Sequence, residues 1–178
     1  MTFTSEKKLL KGLFKSKDFV QMLNPDALDT YFHLEPEGLF GIPDLVIVIL
    51  HDTKRVRIRE TLAFELKLSN WKRALIQAYK YKSFANRSFV LMDAGGVTSA
   101  VKNIALFKKA EVGLLSLDTG GVLETHYYPG HHRPYSEQLT EKYRSIVASN
   151  LNKEPGRITL ERLRLKVAGY SLRGIIPL

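Results

Sequence analysis

Residues 41–68 read GIPDLVIVIL, HDTKRVRIRE, TLAFELKL, and the rest of the chain is organised around them. Two apolar runs, 45–50 and 61–64, flank the polar segment 51–59, which is a strand, turn, strand pattern. Pro43-Asp44 opens the first strand, where proline is tolerated because a strand's first residue need not donate to the ladder. Glu65-Leu66-Lys67 closes the second. A reversal near 52–54 makes paired residue numbers sum to roughly 106–108. Asp44 then falls opposite 62–64, and a one-residue bulge brings Glu65 beside it.

Side chains alternate across a strand, so Glu65 and Lys67 share one face while Leu66 points to the other. Two carboxylates and an ammonium meet at one end of an otherwise apolar hairpin. Burying them is costly unless they serve one another or a metal. Asp44, Glu65 and the backbone carbonyl of Leu66 are the hard oxygen donors that Mg²⁺ prefers. Lys67 is placed to hold or deprotonate an attacking water and to offset charge on a phosphorane. Each residue also has a plainer reading. Asp44 serves equally as a turn residue, and Glu65 with Lys67 as a solvated cross-strand pair.

A helix over 70–85 follows at once, with Gln77 and Tyr81 one turn apart on one face. Pro43-Asp44, Glu65-Leu66-Lys67 and the Gln77/Tyr81 pair together resemble the PD-(D/E)xK nuclease superfamily, the last pair matching the Q-x-x-x-Y signature of its RecB-like branch. The resemblance covers about residues 5–128. It implies an α/β restriction-endonuclease-like core, a central mixed sheet flanked by helices, with a C-terminal helical extension. It also implies a Mg²⁺ cofactor, with Mn²⁺ able to substitute, and a catalytic set of Asp44, Glu65, Lys67, Gln77 and Tyr81, the last two positioning the strand or the water. Some superfamily members add a glutamate from the first helix. Glu6 is the acid near the start of that helix here, but no motif fixes the match.

Composition agrees with a polyanionic partner. The chain has 178 residues, 27 Lys and Arg against 18 Asp and Glu, and a formal charge of +9, so a nucleic acid is the expected ligand, and that it is DNA is what the resemblance implies. At 44% hydrophobic content it can bury one core, expected over residues 1–130, with 131–178 as a basic, mainly helical extension packed on that core or contacting DNA. Cysteine is absent, which excludes disulfides and Cys-ligated zinc or iron-sulfur centres. No segment approaches the roughly 20 apolar residues of a membrane helix. The opening MTFTSEKKLL lacks a signal-peptide core, so a cytoplasmic location without membrane contact is the expectation.

The remaining elements follow in order. Ser5 is a helix N-cap for 6–23, whose basic face includes Lys11 and Lys15 and reads either as a solvated face or as a phosphate-contacting one. Asn24-Pro25-Asp26 breaks that helix, and a short strand spans 31–34. Glu35 and Glu37 are turn residues or, for one of them, an outer metal ligand. Between 66 and 92 no acid occurs, and Lys72, Arg73, Lys80 and Lys82 make the helix a candidate phosphate guide. Trp71 and Tyr79 are core residues more readily than base-stacking ones. A buried strand at 88–93, a Gly95-Gly96 turn, a helix capped by Thr98 to about 110 and strands at 112–117 and 122–128 complete the core. His131-His132 lies in a loop, and helices are expected over 136–150 and 158–168, the latter carrying Arg162, Arg164 and Lys166 beside Arg157.

Two functions follow from this reading. One is a Mg²⁺-dependent deoxyribonuclease of DNA repair, recombination or restriction. The other is a noncatalytic DNA-binding or scaffold subunit of a larger nuclease or restriction complex. A homodimer or a larger repair or restriction assembly is the expected protein partner in either case.

Overall fold

A strand that reads Leu-Val-Ile-Val-Ile-Leu has no polar side to present to water, so it must be covered on both faces. In the computed structural model, which describes residues 2–23, 29–52 and 57–153, this strand is the second of six. The described elements run α1 (Glu6–Lys15), α2 (Lys17–Met22), β1 (Asp29–Leu34), β2 (Leu45–Asp52), β3 (Arg57–Lys67), α3 (Trp71–Tyr81) and β4 (Arg87–Asp93). Then come α4 (Thr98–Lys102), α5 (Ile104–Ala110), β5 (Gly113–Leu117), β6 (Leu123–Tyr127) and α6 (Glu137–Lys153).

The strands lie side by side in chain order. Strands β1, β2 and β3 pair antiparallel, β3, β4 and β5 pair parallel, and β6 returns antiparallel. Each parallel step needs a crossover, which α3 supplies between β3 and β4, and α4 with α5 between β4 and β5. Alternation along the strands sorts the core into two layers. Val46, Val48, Ala63, Val90 and Met92 pack with Trp71, Ala74 and Ala78 of α3, Phe107 of α5 and Tyr143 of α6. Leu45, Ile47, Phe64, Leu66 and Leu91 pack on the opposite side with Leu9, Leu13 and Phe14 of α1 and Phe19 of α2. The fold is therefore α/β, a six-stranded open mixed sheet flanked by helices. Among the described residues no helix is long and apolar enough to cross a membrane.

The β2–β3 register differs from the expected one. Leu45 pairs with Phe64 and Ile49 with Glu60, so one further step sets Asp44 level with Glu65 and no bulge is needed between them. The irregularities fall at the opposite end of the hairpin, between Ile49 and Leu50 and between Leu50 and Asp52.

Three helices also differ from their sequence-based bounds. The expected helix 6–23 is two helices divided at Ser16, whose backbone is extended (φ −68, ψ 127) and caps both. Its hydroxyl accepts from Phe19 N–H at 3.4 Å and donates to the Gly121 carbonyl at 2.7 Å, an alternative to helical bonding that serine provides. The expected helix 98–110 breaks at Asn103 (φ −110, ψ 25), and its first half starts after Val97 without a side-chain cap, so Thr98 is its first residue rather than its N-cap. Helix α3 ends at Tyr81, four residues early. At the C-terminal side, Tyr143 and Val147 of α6 are buried in the core, so residues 137–153 belong to the main body. The expected break at 24–26, the centre of the β2–β3 turn, the helix 158–168 and its arginines lie outside the described residues.

Candidate active site

The C-terminal end of β3 brings the acidic and basic groups together. Asp44, immediately before β2, turns its carboxylate onto the neighbouring strand, where Oδ2 accepts the Leu66 N–H at 2.6 Å. Glu65 lies one position away and is 1% exposed. Its Oε1 is 2.9 Å from Lys67 Nζ, and its Oε2 accepts a hydrogen bond from the Tyr81 hydroxyl of α3. Lys67 also donates to its neighbour's carbonyl, Leu66 O, at 2.8 Å and reaches Glu6 at the start of α1 at 3.2 Å. The Ile42 carbonyl, 3.1 Å from the Tyr81 oxygen, ties the loop before β2 into the same cluster.

This packing explains Gly41. Its φ of +97 lies in the left-handed region, and a Cβ there would stand 3.0 Å from Tyr81 Cε1. A side chain at this position would strain the loop and require the Tyr81 ring to give by a few tenths of an ångström.

The electrostatics favour a cation. Three carboxylates, Asp44, Glu65 and Glu6, face one ammonium, Lys67. Burial pushes the Asp44 carboxyl up to about 6, the Leu66 N–H opposes it, and the charge of Glu65 adds to the rise. Burial disfavours charge on Lys67, but its bond to Glu65 and the charges of Glu65 and Asp44 outweigh that and raise its pKa. Lys67 is therefore an ammonium at neutral pH. Burial and the Glu65 carboxylate raise the Tyr81 phenol, which stays a neutral donor. Among the described residues, no three His, Cys, Asp or Glu side chains form a ready metal cage. Two carboxylates with water and substrate oxygens suffice for Mg²⁺.

A cleft of about 480 Å³ opens beside the cluster, bordered by Glu6, Lys67, Leu68, Ser69, Asn70, Arg73 and Gln77. Gln77 Oε1 is buried without a hydrogen-bond partner, the kind of orphan that a bound water or ligand satisfies. Asn70, left-handed at φ 52, caps α3 through its side chain to Arg73 N–H at 3.5 Å, which brings the first turn of that helix to the cleft rim. Glu65 itself is covered by Lys67 and Tyr81 rather than open to the cleft.

The basic residues separate into three groups. Lys72, Arg73 and Lys80 are exposed along α3. Lys11 and Lys15 are exposed on α1, which covers the opposite face of the sheet and leads away from Glu6, so they do not extend the α3 surface. Lys82 is not a surface cation. It is 1% exposed, bonded to the Ala110 carbonyl at 3.1 Å and Glu111 at 3.0 Å, with the rings of Tyr79 and Tyr135 beside it. This corrects the DNA-contact reading of Lys82. The segment containing His131 and His132 straps that corner, through His132 N–H to Asn86 O at 3.2 Å and Tyr135 N–H to Lys82 O at 3.1 Å. Trp71 is buried and donates to Ser99 Oγ at 3.1 Å, while Tyr79 is half exposed. Glu35 and Glu37 are exposed on their turn.

One further polar set resembles a hydrolase triad in outline. Ser116 Oγ is 2.8 Å from His126 Nε2, and His126 Nδ1 is 3.5 Å from Glu124. Ser116 is 1% exposed on β5, beside the edge strand β6, so no substrate carbonyl reaches it. No family model, curated protein or solved structure matches this chain.

Reading the sequence flags Gly41 as a residue needed for backbone shape, which its φ of +97 bears out, but misses the Ile42 carbonyl. The Ile42 carbonyl and the backbone of Gly41 enter the site only because α3 packs across β3. Nothing local in residues 40–42 reports a contact with residue 81.

Proposed function

We propose that the chain is a Mg²⁺-dependent deoxyribonuclease of the PD-(D/E)xK kind, built on a restriction-endonuclease-like core. The observation that carries this reading is the meeting of Asp44, Glu65, Lys67 and Tyr81, from three different elements, at one end of a mixed sheet beside a basic helix. The residues fit a divalent cation, because the two carboxylates withdrawn from water, Asp44 and Glu65, outnumber the one ammonium, Lys67, with the half-exposed Glu6 at the rim. Asp44 and Glu65 would hold the ion, with the Leu66 carbonyl alongside. A divalent ion held there would supply an acidified water and neutralise charge on the phosphate.

The chain's own groups do the rest. Lys67, kept protonated by Glu65, donates to a nonbridging phosphate oxygen rather than acting as a base. Tyr81 orients the Glu65 carboxylate and is a positioning residue. The buried Gln77 Oε1 accepts a hydrogen bond from the attacking water or from a base amine. Arg73 at the cleft rim and Lys72 and Lys80 along α3 offset the charge of the strand.

A second reading has one observation behind it. Both oxygens of Glu65 already have partners, Lys67 and Tyr81, so the cluster holds together without a metal. That arrangement suits a noncatalytic DNA-binding or scaffold subunit. Incubating labelled linear duplex, single strand, branched junction and plasmid with the protein in Mg²⁺ or Mn²⁺ separates the two. The nuclease reading expects metal-dependent cutting that Glu65→Ala abolishes. Salt-sensitive binding without cutting, unaffected by metal or by Glu65→Ala, establishes the scaffold reading instead.

A further inference from the structure

The helix that carries Gln77 and Tyr81 presents a second row of side chains beside them. Arg73, Gln77 and Tyr81 follow one another at four-residue spacing and form the ridge next to the cluster. Lys72, Ile76 and Lys80 form the adjacent ridge at the same spacing. All three are exposed, Ile76 to 61%. Two cations thus stand about 12 Å apart along the axis with an aliphatic side chain between them.

At the Lys80 end this ridge meets an aromatic ring. Lys80 Nζ lies 5.5 Å from the centre of the Phe40 ring, and Phe40 and Ile42 are each 55% exposed. Two large apolar residues exposed within three positions of one loop form a surface that a partner can cover. They are also held in register with the site, since the residue between them packs against Tyr81 and the Ile42 carbonyl sits 3.1 Å from the Tyr81 oxygen. A ring of this kind, with the Lys80 ammonium beside it and Lys72 farther along the ridge, suits the flat face of a nucleobase whose phosphates meet the lysines. A paired base inside a duplex has no free face to offer.

We infer that Phe40 and Ile42, with Lys72 and Lys80, form a stacking platform for an unpaired nucleotide next to the scissile phosphate, so that the substrate is single-stranded DNA or a strand end, flap or gap. This rests on the nucleic-acid reading above and narrows it to a substrate class. The positive ridge favours a polyanion over an apolar protein surface as the occupant.

The test is equilibrium binding in EDTA, where nothing is cut. Fluorescein-labelled 15-nucleotide oligo(dT) and a duplex of the same length are titrated with full-length wild type, Phe40→Ala, Phe40→Trp and Lys80→Ala. The single strand is expected to bind at least about tenfold more tightly than the duplex, and Phe40→Ala to weaken it about five- to hundredfold. Phe40→Trp restores affinity, because a larger ring stacks at least as well. Lys80→Ala lowers the salt slope of single-strand binding by about 0.7 while Phe40→Ala leaves that slope unchanged. A 2-aminopurine in the strand is quenched by wild type and not by Phe40→Ala. Equal affinity for the two DNA forms, or single-strand binding indifferent to Phe40→Ala, overturns the inference. So does a protein that ignores both DNA forms but self-associates through Phe40. Because the readout is binding without metal, the outcomes are separable. Tight Phe40-dependent single-strand binding with no cleavage in Mg²⁺ defeats the nuclease reading alone, whereas Mg²⁺-dependent cleavage with duplex preference defeats the platform alone.

Discussion

Replacing Tyr81 by Phe removes one oxygen from the candidate site and nothing else. The ring stays 6.4 Å from Phe84 and keeps its place in the core, so no cavity opens. What is lost is the O–H that serves Glu65, a carboxylate only 1% exposed. A hydrogen bond to a charged group contributes about 1.5–3 kcal/mol, and water cannot easily replace it at this depth. Lys67 still holds the other oxygen of Glu65 at 2.9 Å, so the charge is not left without a partner and the cost stays within that range. For a chain of this length about 1 kcal/mol moves the melting temperature by about 2–4 °C, so the expected fall is about 3–12 °C. The assay is thermal and urea unfolding followed by far-UV circular dichroism at pH 7.5 in EDTA. Tyr79→Phe, on the same helix but half exposed, is the control and is expected within about 0.5 kcal/mol of wild type. If Tyr81→Phe is as stable as that control, the Tyr81–Glu65 bond is not what holds the site.

Asp44→Asn tests the electrostatics with a definite sign. The folded-state value of about 6 lies above the ordinary 3.8, so folding favours the protonated form, and stability is full below the lower value and falls as pH rises through the upper one. Asparagine has nothing to ionise and can still accept from Leu66, so without metal the variant should exceed wild type by up to about 3 kcal/mol at pH 7.5 and match it near pH 3.5. A wild-type stability that instead rises between those limits relative to the variant refutes the burial account. Lys82→Met should cost about 1–3 kcal/mol in urea unfolding while leaving oligonucleotide affinity within about twofold of wild type. Lys80→Ala should do the reverse, and a Lys82→Met loss of DNA affinity without loss of stability would restore Lys82 to the surface set. Gly96→Ala places a Cβ 2.0 Å from the Leu68 carbonyl oxygen, at the floor of the cleft, and should destabilise by about 2 kcal/mol or more, measured by the same unfolding curves. Wild-type stability in that variant would mean the turn after β4 does not pack against the end of β3.

What could be read in advance was what depends on neighbours in the chain. The apolar run 45–50 is buried on both faces, and the polar and apolar alternation placed Glu65 and Lys67 on the same side of β3. Their meeting with Asp44 was readable, but its register was not, because the reversal and the irregularities near Leu50 set the pairing from the far end. The helix breaks at Ser16 and Asn103 were hidden by apolar spacing that continues through them, and Ser16 bends the chain by a bond to Gly121, distant in sequence. Lys82 shows the same limit. Its charge was visible in the sequence, whereas its burial depends on Glu111 and Tyr135 arriving from other elements. Glu6 was one acid among many lysines until α1 packed its first turn against Lys67.

The central claim is that Asp44, Glu65 and Lys67 act as one hydrolytic centre, and single-turnover cleavage tests it most directly. Labelled single-stranded and duplex DNA are mixed with excess protein in saturating Mg²⁺, using wild type, Glu65→Gln and Lys67→Met purified identically. The account predicts cutting that EDTA stops and that falls by about a thousandfold or more in both variants, in line with removing a metal carboxylate or a transition-state donor. Cutting at the wild-type rate in either variant, or none by wild type on any substrate while binding persists, contradicts it.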